Sequence, residues 1–140
     1  MKLTLVTPYK KLFTDREIEE IFVPGFRGEL NILDMHAPLV TTLLTGELKF
    51  RFKGEAELQV AAISWGFCEV CEDNISVLAE TAELPQEIDV DRARKALKMA
   101  QQKLSEPDLT PEEAEKNYQK EKRAEVRIKV ALMKKQQTQI

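Results

Sequence analysis

The stretch of sequence that decides the fold of the first half of the chain is residues 46–63, "GELKFRFKGEAELQVAAI". Apolar side chains alternate with basic ones up to Gly54, which is suited to a turn, and an apolar alternation then resumes. A period of two on both sides of a turn predicts an antiparallel hairpin with one apolar face. The alternating apolar residues are Leu48, Phe50 and Phe52 before the turn, and Ala56, Leu58, Val60 and Ala62 after it.

Similar short segments lie on either side of this hairpin. A second hairpin is predicted downstream, where "GFCEV" and "NISVLAE" flank the turn residues Glu72, Asp73 and Asn74. Upstream, "KLTLVTP", "EIFVPG", "GELNIL" and "PLVTTLLTG" are interrupted by turn signals, with one turn expected at Pro24-Gly25. Many short strands with regular turns indicate a sandwich or barrel. We therefore expect residues 1–84 to form one all-β sandwich domain.

The apolar spacing changes after Pro85. From Asp89 onward, apolar residues recur at steps of three and four, which predicts a helix with Asp89 as its N-cap. A second helix is predicted from the sequence Thr110-Pro111-Glu112-Glu113, which has a capping box. Val126 to Leu132 also alternates as a strand would, but the cap and the charged flanks favour helix. Residues 85–140 are thus predicted to be an antiparallel two-helix hairpin.

Charge is distributed unevenly along the chain. Residues 116–140 have eight Lys/Arg and two Asp/Glu, a net charge of +6, whereas residues 1–115 carry −9. Such a basic end predicts either an acidic partner or a solvated basic helix face. Nucleic acid is not expected, because the rest of the chain would repel it. No apolar run is long enough to span a membrane, so direct membrane insertion is not expected. The first residues lack the apolar core of a secretory signal, so we expect a cytoplasmic chain.

Motifs for catalysis or metal binding are weak in this sequence. Cys68 and Cys71 are three apart on a predicted strand, which places them on opposite faces and too far apart for a disulfide. His36, the only histidine, precedes an Ala-Pro turn without a nucleophile nearby, so we predict a structural or interfacial role for it. Trp65 is expected on a sheet face. No P-loop or metal-ligand spacing occurs. We therefore expect no metal and no catalysis.

Three segments together resemble the ATP synthase epsilon subunit family. "GFRGELNILDMHAPLVTTLLTGEL" resembles its signature, GELGILPGHAPL with a second glycine, while "SWGFCEVCEDNISVLAETAE" and "IDVDRARKA" are similar to two further segments. The resemblance implies a non-catalytic part of the central rotor stalk of an F-type ATP synthase, peripheral to the cytoplasmic face of a bacterial inner membrane. It also implies that the sandwich contacts the gamma subunit and the c ring, through a region that includes Glu29 and His36. Asp34-Met35 here replaces the usual Pro-Gly before the histidine.

The family resemblance further implies that the helical hairpin regulates ATP hydrolysis. In relatives its basic C-terminal helix extends to the beta and alpha subunits and inhibits hydrolysis. Some bacterial relatives bind ATP on the folded hairpin, which implies ATP as a regulatory ligand here, with no cofactor required. The matching residues are Glu83, Ile88, Asp89, Arg92, Arg123 and Arg127, with Met99 where the ATP binders have another arginine.

Three other interpretations stay open from the sequence. The segment "EIDVDRARKA", residues 87–96, is also what a capped helix start with solvated arginines would look like. The whole chain could be a free-standing module that binds nucleotide or an acidic protein, or a small hydrolase that uses His36 and scattered carboxylates.

Overall fold

The computed structural model describes the backbone of residues 1–138 and the side chains of residues 1–133. Within these residues, seven strands are followed by a short 3-10 helix, Pro85–Glu87, and by two α-helices. The basic residues Lys134 and Lys135 of the predicted basic segment have side chains outside the described residues. The strands are β1 Lys2–Val6, β2 Lys11–Gly25, β3 Gly28–Ile32, β4 Leu39–Leu43, β5 Gly46–Phe52, β6 Gln59–Cys71 and β7 Asn74–Glu83, and the helices are α1 Val90–Leu104 and α2 Pro111–Thr138.

The strands form a β-sandwich, as predicted. Their order is β1-β7-β6-β4-β2-β3, while β5 pairs with both β2 and β6, and β1 also pairs with β2. The pairing of β1 with β7 is parallel, whereas β2 is antiparallel to each strand that it contacts. The long strands β2 and β6 therefore hold the sandwich together, because each pairs with several shorter strands along its length.

The hairpin predicted over residues 46–63 is confirmed, with a difference in its second strand. Leu48 lies opposite Ala61 and Phe50 opposite Gln59, so β6 begins at Gln59 rather than near Ala56. Every residue from Val60 to Ser64 is buried, so both faces of this part of β6 are covered. The prediction of a single apolar face is thus wrong here. Alternation of apolar residues indicates that one face of a strand is buried, and it carries no information on whether the other face is also covered.

The turn predicted at Pro24-Gly25 is also wrong in position. β2 continues through both residues, with Pro24 opposite Glu29 and Gly25 opposite Gly28, and the turn lies at Phe26 and Arg27. A strand accommodates proline where its missing N–H has no partner. The Pro24 carbonyl still accepts a hydrogen bond from the backbone N–H of Leu44, at 2.9 Å.

Strand β6 changes its pairing partner in the middle, and Gly66 is needed at that point. Residues 59–63 pair with β5 and residues 66–70 pair with β4. Between them, the backbone of Trp65 has a φ of +43°. A Cβ on Gly66 would lie 1.8 Å from the carbonyl oxygen of Leu78, which is a backbone atom of β7. The sandwich therefore depends on the close approach of two backbones at Gly66.

We expect Gly66→Ala to lower the free energy of unfolding by about 3 kcal/mol, because the added methyl must displace a neighbouring strand. Urea unfolding followed by circular dichroism measures the change. Gly54→Ala is the matched control: its Cβ would have no atom within 4 Å, and its φ of +81° costs only about 1 kcal/mol. Equal losses in the two variants would contradict the close approach at Gly66.

The chain divides into two compact units. The first is Met1–Ala82, and the second begins at Glu83, two residues before the predicted boundary. The first unit has its own core of large apolar side chains, including Leu5, Ile21 and Phe50. Buried residues of the second unit are mostly small: Ile88, Ala93, Ala100, Ala124, Val130 and Ala131.

Both predicted helix starts are present. The Asp89 carboxylate accepts a hydrogen bond from the Arg92 backbone N–H at 3.1 Å. Thr110 and Glu113 form the reciprocal capping box, because each side chain accepts from the other's backbone N–H. Helix α2 runs through Val126 to Leu132, so the helical interpretation of that segment is confirmed. Within the described residues, no helix is both long enough and apolar enough to cross a membrane.

Candidate anion-binding groove

A groove of about 660 Å³ lies between the two helices of the second unit. The helices contact each other and are joined by residues 105–110, so they run antiparallel. The floor includes small side chains such as Ala100 and Ala124, which are nearly fully buried. The walls hold residues with longer side chains: Arg92, Met99 and Lys103 from α1, and Glu113, Lys116, Asn117, Lys120, Arg123 and Arg127 from α2.

The cations of the groove follow from helical spacing. On α2 they occupy positions 116, 120, 123 and 127, with steps of four, three and four, which places them along one face. On α1, Arg92 and Lys103 lie at the two ends of the same wall. Because the helices are antiparallel, Arg92 shares one end of the groove with Arg123 and Arg127. Lys103 and Lys116 share the other end.

One of these arginines is held by a carboxylate. The Arg127 Nη2 atom donates to Glu83 Oε2 at 2.7 Å, and both side chains are largely buried. The Nε atoms of Arg123 and Arg127 are also buried and have no hydrogen-bond partner among the described residues. A buried guanidinium Nε without a hydrogen-bond partner lowers the stability of the ligand-free hairpin.

The predicted nucleotide-binding residues are only partly brought together. Arg92, Arg123 and Arg127 line one groove, and Glu83 joins them through its ion pair with Arg127. Ile88 is buried and does not line the groove, and Asp89 is exposed with its carboxylate on the backbone of Arg92. Sequence reasoning missed Lys103, Lys116 and Lys120, although their spacing from the arginines was a usable signal.

Comparison with known proteins identifies the family. Residues 1–85 match the family described as "ATP synthase, Delta/Epsilon chain, beta-sandwich domain". The chain is 44% identical over 113 residues to the ATP synthase epsilon chain of Bdellovibrio bacteriovorus, covering 81% of each chain. The chain belongs to the ATP synthase epsilon family. The epsilon chain of Citrifermentans bemidjiense is 42% identical over 135 residues, covering 94% of this chain and 93% of that one.

Solved structures show the same fold as this epsilon-family chain. A chain in the Euglena gracilis mitochondrial ATP synthase, in a structure of OSCP, F1 and the c-ring, matches with a TM-score of 0.81 and 24% identity. That match covers 94% of this chain and 81% of the other. A chain of the Tetrahymena thermophila central stalk and c-ring matches with a TM-score of 0.64 and 17% identity, over 94% and 96% of the two chains.

The two residues predicted to contact other subunits of the synthase lie in the sandwich. Glu29, in β3, accepts a hydrogen bond from Lys49 Nζ at 3.3 Å and stays exposed. His36 follows β3 in the loop before β4, and its Nδ1 lies 2.8 Å from the carbonyl oxygen of Ala37. In the same loop Met35 has a φ of +62° and is 92% exposed. The contacts predicted for Glu29 and His36 stay predictions.

The cysteines of this epsilon-family chain occupy different environments. Cys68 is fully buried in β6 and Cys71 is exposed at its end, and both are free thiols. Burial raises the pKa of the Cys68 thiol to about 12, so it stays protonated at neutral pH. Among the described residues, no three His, Cys, Asp or Glu side chains group so as to hold a metal ion.

We expect Cys71 alone to react with Ellman's reagent in the native protein at pH 8, because Cys68 has neither access nor thiolate character. Half of the total thiol should therefore react promptly, and the rest only after denaturation. Cys71→Ser is the control and should abolish the prompt reaction. Rapid reaction of the second thiol in native Cys71→Ser would contradict the buried position of Cys68.

Proposed function

We propose that this chain is a non-catalytic rotor subunit in the central stalk of an F-type ATP synthase, where it couples c-ring rotation to ATP synthesis. Membership of the epsilon family supports this assignment, as does a fold shared with chains from two mitochondrial ATP synthase structures that include a c-ring, one of them a structure of the central stalk. In this proposal the sandwich contacts the gamma subunit and the c ring, with Glu29 and His36 in the contact region. The chain then lies peripherally at the cytoplasmic face of a bacterial inner membrane.

The helical hairpin is proposed to act as a brake on ATP hydrolysis. Helix α2 carries a basic stripe, formed by Lys116, Lys120, Arg123 and Arg127 on one face. Its positive charge fits an acidic surface of the beta and alpha subunits. Electrostatic complementarity of this kind orients an encounter and selects the partner. The regulation is then a competition between α2 contacts inside the hairpin and α2 contacts with the catalytic subunits.

ATP is proposed as the ligand that holds the hairpin closed. The observation that carries this is the convergence of Arg92, Arg123 and Arg127 on one groove, from two different helices. Guanidinium groups bind phosphate oxygens through paired, charge-assisted hydrogen bonds. A ligand that bridges α1 and α2 binds only the closed hairpin, so it shifts the population toward that state. When ATP is depleted, α2 is released toward its acidic partner.

The interpretation of residues 87–96 as a capped helix start is compatible with this role. Asp89 does cap α1, and that hydrogen bond fixes the position of Arg92 at the first turn. Glu83 in turn fixes the guanidinium of Arg127. Asp89 and Glu83 thus act as positioning residues for the arginines, rather than as groups that contact the phosphates.

We expect Arg92→Ala to weaken ATP binding by about tenfold to a hundredfold, because it removes charge-assisted hydrogen bonds worth about 1.5–3 kcal/mol. Isothermal titration of the isolated protein with ATP measures the change. Arg94→Ala is the matched control, since Arg94 lies on the same helix, pairs with Asp91 and does not line the groove. If Arg92→Ala and the unaltered protein bound ATP with equal affinity, the proposal that ATP binds in this groove would be contradicted.

We expect deletion of residues 89–140 to raise ATP hydrolysis by the assembled synthase severalfold, because it removes the proposed brake. The measurement compares ATPase rates of complexes that contain the full-length or the shortened chain. Circular dichroism of the shortened chain is the control, and should show an intact sandwich because the first unit has its own core. Unchanged hydrolysis in a fully assembled complex would rule out inhibition by the hairpin.

A further inference from the structure

The groove extends beyond its arginine end. A triphosphate bound to the arginines would occupy only part of its length. The basic stripe of α2 runs from Lys116 to Arg127, and the eleven residue steps between them correspond to about 16 Å along a helix. Neighbouring cations in the stripe are three or four residues apart, so about 5–6 Å separates their Cβ atoms. The line of positive charge therefore continues past the arginines without a gap, to Lys116.

The charges at the lysine end are poorly compensated. Within the described part of the chain, neither Lys116 nor Lys120 has a carboxylate at ion-pair distance. Lys103 at this end pairs with Glu106 at 3.2 Å. Among the described residues, Glu113 is the one carboxylate that lines the groove, and its side chain accepts from the Thr110 backbone N–H. An anion at this end would consequently meet two uncommitted ammonium groups.

The side chains between the cations distinguish among linear anions. The described residues that line the groove include no aromatic ring, and the middle of the α1 wall is Ala96 and Met99. Proteins that bind single-stranded nucleic acid combine a basic groove with aromatic side chains on which the bases stack. A groove that has the cations and lacks such rings fits a chain of phosphates better than a single-stranded nucleic acid, whose successive bases would find no ring to stack on.

We propose that this groove is a binding site for linear polyanions, and that inorganic polyphosphate longer than tripolyphosphate is its ligand class. The inference rests on the proposed function for the arginine end, and adds the Lys116 and Lys120 end as a second subsite. The arginines bind one part of the polyphosphate and the lysines bind the phosphates beyond it. Polyphosphate and ATP then exclude each other, and polyphosphate also holds the hairpin closed.

The test titrates the full chain, at low salt and without magnesium, with ATP, tripolyphosphate and inorganic polyphosphate of increasing chain length. We expect a polyphosphate molecule longer than tripolyphosphate to bind about tenfold more tightly than tripolyphosphate, because it forms two additional ion pairs. The double variant Lys116→Gln/Lys120→Gln should lose that gain and keep ATP binding. Glutamine is nearly as good a helix former as lysine, so the helix is preserved.

The matched control is Lys95→Gln/Lys98→Gln, which removes the same charge from exposed positions outside the groove. It should retain the full dependence on chain length. If affinity did not rise with polyphosphate length, or if both double variants lost that rise equally, the second subsite would be overturned while ATP binding stayed intact.

Two further outcomes separate the ligands. Polyphosphate binding without ATP binding would overturn the nucleotide role and retain this site. Equally tight binding of a single-stranded oligonucleotide through the same lysines would overturn the assignment to polyphosphate.

Discussion

The close approach of α1 and α2 over small side chains is the constraint on which the candidate site depends. Ala100 and Ala124 lie in the floor of the groove and are buried to within a few per cent. Small side chains in the floor leave room above them, and the longer cationic side chains of both helices border this one groove. A larger residue at either position would fill the floor and separate the arginines of α2 from Arg92.

The same small residues make the hairpin weak as a folded unit. Burial of alanine contributes far less free energy than burial of leucine or phenylalanine, since it removes less apolar area from water. Two helices of this kind are marginal in isolation. The caps at Asp89 and Thr110 and the ion pair between Glu83 and Arg127 add local stability. A ligand that joins the two walls can thus have a large effect on whether the hairpin stays closed.

The sandwich has the opposite character. Its core contains Phe50, whose ring packs edge to face with Phe13 and Phe52 at centroid distances of 5.4 and 5.3 Å, among many large aliphatic side chains. Its strands are joined by β2 and β6, and the corner at Trp65 and Gly66 permits β6 to change partners. A sandwich with a large apolar core, joined to a less stable helical unit, suits a subunit that transmits rotation and carries a conformational regulator, as proposed here.

Much of this organisation is determined by the sequence alone. Alternation predicted the hairpins, the caps at Asp89 and Thr110 predicted where both helices begin, and helical spacing already placed Arg123 and Arg127 on one face. These signals are local, because they depend on the geometry of a single strand or helix. Only the tertiary structure decided that Pro24 lies within a strand, that Val60 to Ile63 are covered on both sides, and that Glu83 pairs with Arg127. Those outcomes depend on neighbours distant in sequence, and periodicity within one element carries no information about which neighbour covers it.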